Sequence, residues 1–231
     1  CDACVAFMDS CLTENPHDLQ VKERLKSLEG ILEKNLKYYK ATNFEEMWVD
    51  DFGWWGLLGI NAYQFLIKLG NYNLAQDYLR LSKECLAFMI DGGCDANREV
   101  QPVKYGCRNT SVKEPDKGVK NTVVNALLLL LSTKLYRLHA KEKFNDYQGF
   151  LNIACSQWMW FSKWFELKEY HYFKHFKNDE GAGLILERPI AIFNGSSYQD
   201  MSHPDAVSTW VWSGDNGLVI GALLDLIPEA D

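Results

Sequence analysis

Two adjacent carboxylates, Asp50 and Asp51, stand among bulky aromatic residues in the stretch 48–56, WVDDFGWWG. Flat aromatic faces suit stacking on pyranose rings, and a carboxylate pair can act as nucleophile and proton donor at a glycosidic bond. Partial desolvation by such rings would raise the pKa of one carboxyl so that it stays protonated. The stretch therefore predicts chemistry on a sugar. The structural alternative is that one aspartate only caps the following helix. The candidate sugar-contacting rings here are Trp48, Trp54 and Trp55.

Two further polar patches stand directly before apolar segments. Lys120-Asn121 precedes the apolar run 122–131, and Asp215-Asn216 precedes the apolar run 218–227. Two more indoles, Trp210 and Trp212, come just before the second patch. All six residues are candidates for substrate binding, because free backbone N–H groups and the dipole at a helix start favour ligand oxygens. The alternative is that each patch caps its own helix.

Apolar residues recur at helical spacing along most of the chain and predict an all-α fold. More apolar helices alternate with more amphipathic ones, which is typical of stacked αα-hairpins that put one helix inside and one outside. We expect a single domain over 1–231 built as a helical toroid, with a solenoid or irregular bundle as the alternative. A β-hairpin is expected around 184–193. The expected helices cover residues 1–12, 21–39, 51–69, 74–88, 120–138, 144–165 and 218–227.

A toroid would bring the three polar patches together. Its inner helices run parallel, so their starts, at Asp50-Asp51, Lys120-Asn121 and Asp215-Asn216, would line one mouth. Composition agrees with a sugar-binding cleft: the aromatic content is 13% with 8 Trp, whereas the net charge of −7 and the lack of a basic run disfavour nucleic acid. No apolar run reaches membrane-spanning length.

The cysteines and histidines predict neither a metal site nor a cofactor. The seven cysteines include a lone Cys1-x-x-Cys4, and Cys94 and Cys107 bracket a long loop where they could pair in an exported protein. Cys85 and Cys155 are expected to be buried. His171 and His175 are expected to be a surface pair, since no further ligand pattern joins them. The tryptophans Trp158, Trp160 and Trp164 are expected in the core. Because the chain opens without Met, upstream sequence is expected to be missing.

Taken in order, four motifs resemble glycoside hydrolase family 76, the endo-α-1,6-mannanase family. They are the aspartate pair with its aromatics, Lys120-Asn121, the helix end Leu135-Tyr136-Arg137-Leu138, and the Trp210-led turn before Ile220-Gly221-Ala222-Leu223. The resemblance covers residues 48–226. It implies an (α/α)6 barrel of twelve helices, of which seven or eight can be counted here, so part of the barrel is expected to be absent.

The resemblance also implies a retaining mechanism, in which Asp50 would be the nucleophile and Asp51 the acid/base. Such chemistry requires carboxyl groups about 5 Å apart. Adjacent residues reach this separation only in irregular backbone at a helix start. Two regions depart from the family: the usual Trp-x-Tyr-Asn turn is Trp210-Val211-Trp212-Ser213, and Asp91-Gly92-Gly93-Cys94 replaces a glycine- and tryptophan-rich loop. These departures leave linkage and substrate open.

The leading hypothesis is therefore a secreted, cell-surface or periplasmic glycoside hydrolase, a monomer that acts on α-linked mannan or a related polysaccharide without a cofactor. One alternative is a non-catalytic carbohydrate-binding protein whose carboxylates are misplaced. Another is a sugar epimerase or lyase-like enzyme on the same fold, although such toroids depend on paired histidines that this chain lacks at helix starts. Fold alone does not choose among them.

Overall fold

The residues that the structure describes form packed α-helices and one antiparallel pair of short strands. The computed structural model describes residues 2–14, 19–94, 106–111, 113, 120–143, 145–166, 173–175, 183–185, 187 and 211–227. Within these residues the α-helices are α1 (Asp2–Glu14), α2 (Leu19–Ala41), α3 (Val49–Leu69), α4 (Tyr72–Gly93), α5 (Thr122–Glu142), α6 (Tyr147–Glu166) and α7 (Ser213–Leu226). A 3₁₀ turn, Phe44–Glu46, precedes α3, and strands β1 (Phe173–His175) and β2 (Gly183–Ile185) pair antiparallel. The predicted helices are confirmed within a few residues at their ends, except for α7.

The helices group into two compact units. The first comprises residues 1–44 with 54–85, and the second comprises residues 45–53 with 86–231. In the first unit α2 buries an apolar stripe at spacings of three and four, as its sequence predicts. The stripe consists of Leu25, Leu28, Leu32, Leu36 and Tyr39. Helix α4 contacts this region through Tyr78, whose phenol donates to the Leu32 carbonyl at 2.7 Å.

Helices α3 and α4 approach closely at Gly59 in the first unit. A Cβ there would overlap the Ser82 hydroxyl and lie 2.8 Å from the Tyr78 carbonyl oxygen. Ser82 is already fixed by donating to the Gly56 carbonyl at 2.9 Å. The Ser82 hydroxyl and the Tyr78 carbonyl, both on α4, therefore leave room only for glycine at this point of α3.

Gly59→Ala is therefore expected to lower the free energy of unfolding by about 3 kcal/mol, because backbone must move to relieve the overlap. Urea unfolding followed by circular dichroism measures the loss. Gly30→Ala on α2 is the matched control, since nothing lies within 4 Å of a Cβ there, and it should be neutral or slightly stabilising. Equal stability of the two variants would contradict the close-approach explanation.

Helix α5 is the central element of the second unit and packs against α6 and α7. Its run Leu127–Leu131 is buried on every side, which confirms the sequence prediction. The start of α3 joins this unit through Gly53, where a Cβ would lie 2.8 Å from the Leu127 Cβ. Phe52 stacks on Phe88 of α4, with 4.8 Å between ring centroids. The aspartate pair thus lies directly before residues of α3 that pack against the buried helix α5.

Helix α7 begins five residues earlier than predicted. The sequence Gly214-Asp215-Asn216-Gly217 was expected to form a turn before a helix at Leu218, but the helix starts at Ser213 with Trp212 as N-cap. The glycines in this turn weaken a helix by about 1 kcal/mol each. Contacts of Asn216 with β2, described below, stabilise the first turn and offset that cost.

Three predictions about side chains and strands require correction. Cys94 and Cys107 face each other in an isolated β-bridge, yet both are free thiols. Cys155 is exposed rather than buried, because it lies on the outer side of α6. The strand pair joins 173–175 to 183–185, so only its second strand begins where the hairpin was expected; residues 188–193 lie outside the described residues.

Other predictions are confirmed. Cys85 is fully buried, and burial raises the pKa of its thiol to about 12. Trp160 is in the core at 1% exposure. Trp158 is half-buried. The predictions for Trp164, His171 and His175 fall outside what the structure describes, which leaves out the side chains of Trp164 and His175 and the whole of His171. None of the described helices combines the length and apolarity that a bilayer crossing needs.

Candidate active site

Asp50 and Asp51 occupy the second and third positions of α3. The helix starts at Val49, so neither aspartate is the N-cap. Both lie in the helix and not in the irregular backbone that a close carboxyl pair was expected to need, so that expectation is wrong. The Asp51 Oδ2 accepts from the Trp48 N–H at 3.1 Å, which is one half of a capping box. The Asp50 Oδ1 accepts from the Asp51 N–H at 3.1 Å. Side chains in a first turn lean toward the helix N-terminus, so both carboxyl groups project from this end of α3.

The segment 106–111, which we call the bracing segment, holds the start of α3 from outside. Its Thr110 carbonyl accepts from the Val49 N–H at 3.0 Å, and its Asn109 Oδ1 accepts from the Asp50 N–H at 3.2 Å. Trp48 and Ser111 form an isolated antiparallel bridge. The first backbone donors of α3, which a helix cannot satisfy internally, are therefore satisfied by this segment.

The surroundings of Asp50 act on its pKa in opposite directions. Burial and the neighbouring negative charge of Asp51 raise the pKa of the Asp50 carboxyl. The polar side chain of Asn109 and the backbone N–H groups at the helix start lower it, but the net shift is upward. Asp50 is half-buried while Asp51 is exposed, so the two adjacent carboxyl groups stand in different environments.

A buried amide, Asn125 on α5, fixes the bracing segment. Its Oδ1 accepts from the Cys107 N–H at 2.7 Å and from the Gln157 Nε2 at 2.8 Å. Its Nδ2 donates to the carbonyls of Cys107 at 2.9 Å and Asn121 at 2.7 Å. Every lone pair and hydrogen of this amide is used. The segment is further shaped by Gly106, whose φ of +79° suits glycine and whose Cβ position is filled by the Trp160 indole.

Asn125→Ala is expected to destabilise the protein by about 3 kcal/mol or more, since it leaves several buried partners without hydrogen bonds. Thermal unfolding by calorimetry measures the effect. Asn152→Ala on the exposed side of α6 is the control, where the amide only accepts from Gln148 at 3.2 Å, and should change stability little. A small effect of Asn125→Ala would mean that solvent replaces the lost contacts.

The second patch starts α5. Asn121 is the N-cap, and its side chain accepts from the Val124 N–H at 3.3 Å. Lys120 is buried, with 2% of its surface exposed. The capping role of Asn121 is thus shown, and substrate contact by Lys120 or Asn121 remains a prediction.

The third patch starts α7 and holds β2. The Asn216 amide accepts from the Ile185 N–H at 3.0 Å and donates to the Ile185 carbonyl at 3.3 Å. It thus makes with Ile185 the two hydrogen bonds that a residue of a neighbouring strand would make. Asp215 is 5% exposed, and no described residue gives its Oδ2 a hydrogen bond. Burial, followed by the negative charge of Glu187, raises the pKa of Asp215 to about 6.

Hydrogen bonds connect the three patches. The bracing segment links the start of α3 to Asn125, one turn below Asn121 on α5. The Thr122 N–H at the start of α5 donates to the Glu187 carbonyl at 2.7 Å, and Glu187 follows the strand that Asn216 clamps. The expectation that these helix starts share one region is supported within the second unit.

The predicted sugar-contacting indoles are placed differently from one another. Trp48 and Trp212 are both 51% exposed in the second unit, and Trp54 is 48% exposed in the first unit. Trp55 packs on Tyr39 with 5.2 Å between ring centroids, so part of its face is occupied. Trp210 lies outside the described residues.

Sequence reasoning missed Asn109, Asn125 and Glu187. Asn109 begins the triplet Asn109-Thr110-Ser111, which resembles a glycosylation sequon rather than a structural element. Asn125 stands inside an apolar helix, where a lone polar residue is a signal of a buried hydrogen-bond network. Nothing in the local sequence marks Glu187.

Comparison with solved structures finds the same fold in α-mannanases. The chain matches the GH76A α-1,6-mannanase of Salegentibacter sp. HEL1_6 with a TM-score of 0.58 and 19% identity, over 97% of this chain and 53% of that one. It matches a GH76 α-mannanase of Bacteroides thetaiotaomicron with a TM-score of 0.51 and 19% identity, over 80% of this chain and 40% of that one. An inactive variant of the Salegentibacter enzyme, with two consecutive aspartates replaced by alanine, was solved with α-1,6-mannotetrose; there the TM-score is 0.58, the identity 18%, and the coverage 97% and 52%.

These likenesses establish the fold class: the chain is an all-α protein of the (α/α)6 toroid class that spans about half the length of those mannanases. The resemblance to family 76 found in the sequence is thus confirmed as a similarity of fold. No family model matches the chain, and no curated protein matches it by sequence.

Proposed function

We propose that this protein is a retaining glycoside hydrolase that cleaves α-linked mannan or a related polysaccharide, with Asp50 and Asp51 as its catalytic pair. The observation that carries the proposal is the adjacent aspartate pair projecting from the start of α3, braced from outside its helix, on the fold of α-1,6-mannanases. Two consecutive aspartates are also the residues replaced in the inactive mannanase variants solved with oligosaccharides.

In this mechanism the two carboxyl groups need opposite protonation states. Ionised Asp50 attacks the anomeric carbon, the glycosidic bond breaks, and Asp51 gives its proton to the leaving oxygen. Asp51, now ionised, then takes a proton from water as that water attacks the covalent glycosyl ester, which releases Asp50 and retains the anomeric configuration. Burial and the charge of Asp51 raise the pKa of Asp50 overall, so the backbone donors at the helix start, which lower this pKa, oppose that rise and favour the ionised nucleophile.

Substrate binding would use the surfaces around this pair. The exposed indoles Trp48 and Trp212 offer faces for sugar rings. Asp215 also belongs to the proposed set, although its side chain is almost fully buried. Trp54, Trp55, Lys120, Asn121, Trp210 and Asn216 complete the proposed set. We further propose a single toroid domain over 1–231, a monomer, and a secreted, cell-surface or periplasmic location.

A non-catalytic carbohydrate-binding protein is the second candidate. One observation favours it: Asp51 Oδ2 already accepts from the Trp48 N–H, and Asp50 Oδ1 from the Asp51 N–H, so both carboxylates serve the helix start. Such a protein would bind the glycan through its aromatic residues and leave it intact.

Incubation of the protein with α-1,6-mannan and with linear α-1,6-mannooligosaccharides separates the two. Chromatography of the products shows cleavage, and proton NMR during the first turnovers shows whether the released reducing end is α or β. An α-anomer formed first supports the retaining mechanism. Binding in calorimetry with no released sugar would favour the carbohydrate-binding protein, and neither binding nor cleavage would contradict both.

A further inference from the structure

Cys94 and Cys107 lie directly opposite each other where the end of α4 meets the bracing segment. Cys94 follows the last residue of α4, Cys107 is the second residue of the bracing segment, and the two form an isolated antiparallel bridge. Both are thiols in this structure, so the disulfide that the sequence allowed is not formed here. The bridge nevertheless brings two oxidisable groups together at the point where the segment is attached to the helix.

The hydrogen bonds around the bridge show which kind of antiparallel pair it is. The Arg108 N–H donates to the Gly93 carbonyl at 2.8 Å, beside the two cysteines. Neither cysteine N–H crosses the bridge: that of Cys107 donates to the Asn125 Oδ1 at 2.7 Å, and that of Cys94 donates to a carbonyl of α4 at 3.2 Å. In such a non-hydrogen-bonded pair the Cα atoms lie about 4.5 Å apart and the side chains project from the same face. A disulfide spans Cα separations of about 4.4–6.8 Å, so the backbone is already in place for one.

The two thiols differ in their access to solvent. Cys107 is fully buried, and a Cβ at Gly93 would overlap its Sγ, which therefore lies against the last turn of α4. This Sγ donates to the carbonyls of Met89 at 3.4 Å and Arg108 at 3.9 Å, which are the weak hydrogen bonds of a thiol. Cys94 is partly exposed. An oxidant in solution therefore meets Cys94 first and finds Cys107 behind it.

We propose that Cys94 and Cys107 are a redox site: a small-molecule disulfide, such as oxidised glutathione, oxidises them to a disulfide that ties the bracing segment to α4. The Cys94 thiolate attacks one sulfur of the oxidant, and one glutathione thiolate leaves. The Cys107 thiolate then attacks the Cys94 Sγ of this mixed disulfide, and the second glutathione thiolate leaves. The two cysteines lose two protons and two electrons, and oxidised glutathione becomes two thiols. Disulfides persist outside the cytoplasm, which is the location proposed above.

The tie acts on the support of the aspartate pair. In the bracing segment, the Thr110 carbonyl accepts from the Val49 N–H at 3.0 Å, and the Asn109 Oδ1 accepts from the Asp50 N–H at 3.2 Å. Closing the loop between residues 94 and 107 restricts the unfolded chain, and so stabilises the folded form in which this segment holds the start of α3. The meaning for catalysis rests on the proposed hydrolase function, whereas the disulfide and its effect on stability do not.

The first measurement is peptide mapping after incubation with reduced or with oxidised glutathione and alkylation of the remaining thiols. Trypsin cuts after Arg98 and Lys104, so Cys94 and Cys107 fall in different peptides. The oxidised protein should give these two peptides as one linked product. Cys94→Ser should remove the product, which excludes Cys85 of the same peptide as the partner, and Cys107→Ser should leave glutathione attached to Cys94. Glutathione adducts on the parent protein without a linked product would overturn the proposal.

The second measurement is the melting temperature by circular dichroism. The oxidised parent should melt about 5 °C or more above the reduced parent, because the disulfide closes a loop in the unfolded chain. Cys94→Ser should melt at one temperature in both glutathione buffers. Cys155→Ser is the matched control, since it removes an exposed thiol of α6, and should keep the full difference. Equal melting temperatures of the oxidised and reduced parent, with the disulfide formed, would contradict the stabilising tie.

Hydrolysis of mannooligosaccharides separates this inference from the proposed function. The oxidised parent should keep its initial rate of hydrolysis to a higher temperature than the reduced parent, by the same interval as their melting temperatures. A parent that forms the disulfide and hydrolyses nothing would contradict the hydrolase function and leave the redox site established. A parent that hydrolyses mannooligosaccharides in both buffers without the linked peptides would contradict the redox site alone.

Discussion

Asp50→Asn and Asp51→Asn are each expected to reduce the rate of mannan hydrolysis by on the order of 10³-fold or more, with oligosaccharide binding retained. An amide at position 50 cannot form the glycosyl ester, and an amide at position 51 cannot give a proton to the leaving oxygen. Both variants keep the size of the side chain at the start of α3. Reducing-end assays give the rates, and calorimetry with an α-1,6-mannooligosaccharide gives the affinity.

The two variants should differ when the leaving group needs no protonation. With an activated aryl oligomannoside, Asp51→Asn should recover much of its first-step rate, and azide should then accelerate turnover by replacing water. Asp50→Asn should recover neither. Asp77→Asn is the control, since Asp77 lies on the surface of α4 and pairs with Arg80 at 3.0 Å. Recovery by Asp50→Asn instead would reverse the two roles, and full activity in either variant on mannan would contradict the mechanism.

Asp215→Asn is expected to stabilise the protein at neutral pH and not at acidic pH. The pKa of Asp215 rises from 3.8 to about 6 in the folded state, so between these values the folded protein binds more protons than the unfolded chain. Stability must therefore fall as the pH rises through this window. A shift of about two units corresponds to about 3 kcal/mol at most above pH 7, and asparagine removes this penalty.

Urea unfolding at pH 7.5 and at pH 4.0 measures the difference between Asp215→Asn and the parent. The gain should be largest at pH 7.5 and close to zero at pH 4.0. Glu187→Gln is the matched variant: it removes the smaller cause of the raised pKa, so it should give a smaller gain with the same pH dependence. An equal gain for Asp215→Asn at both pH values would show that the effect comes from packing rather than from the buried charge.

The sequence was sufficient for elements whose pattern is local. The stripe Leu25 to Tyr39 has the 3.6-residue period of a helix with one buried face, and its helix is where it was expected. The run Leu127–Leu131 has no polar side and therefore lies in the core. Asn121 is a good capping residue before such a run, and it caps.

Features that depend on distant residues could not be predicted in this way. Helix α7 starts at Ser213 although its first turn contains two glycines, because Asn216 gains a pair of hydrogen bonds from Ile185, 31 residues away. The start of α3 moved to Val49 for a similar reason, since Thr110 supplies the acceptor for its N–H. Each boundary was set by a tertiary partner that overrode local propensity.

The candidate site was predictable as residue types and not as an arrangement. The aspartate pair and the indoles stood out by composition, whereas the residue that meets Asp50 lies 59 positions away in a segment without periodicity. The catalytic role of the aspartate pair and substrate contact by Trp48 and Trp212 stay predictions, which activity and binding measurements can test.

The amide that fixes the bracing segment has a consequence for hydrogen exchange. Cys107 lies in irregular backbone, where amide hydrogens usually exchange within local openings. Its N–H donates instead to Asn125 inside α5, among leucines that are fully buried. Release of that hydrogen requires α5 to lose its packing, so the Cys107 amide should exchange only with global unfolding. The start of α3 therefore rests on a segment as slow to open as the core itself.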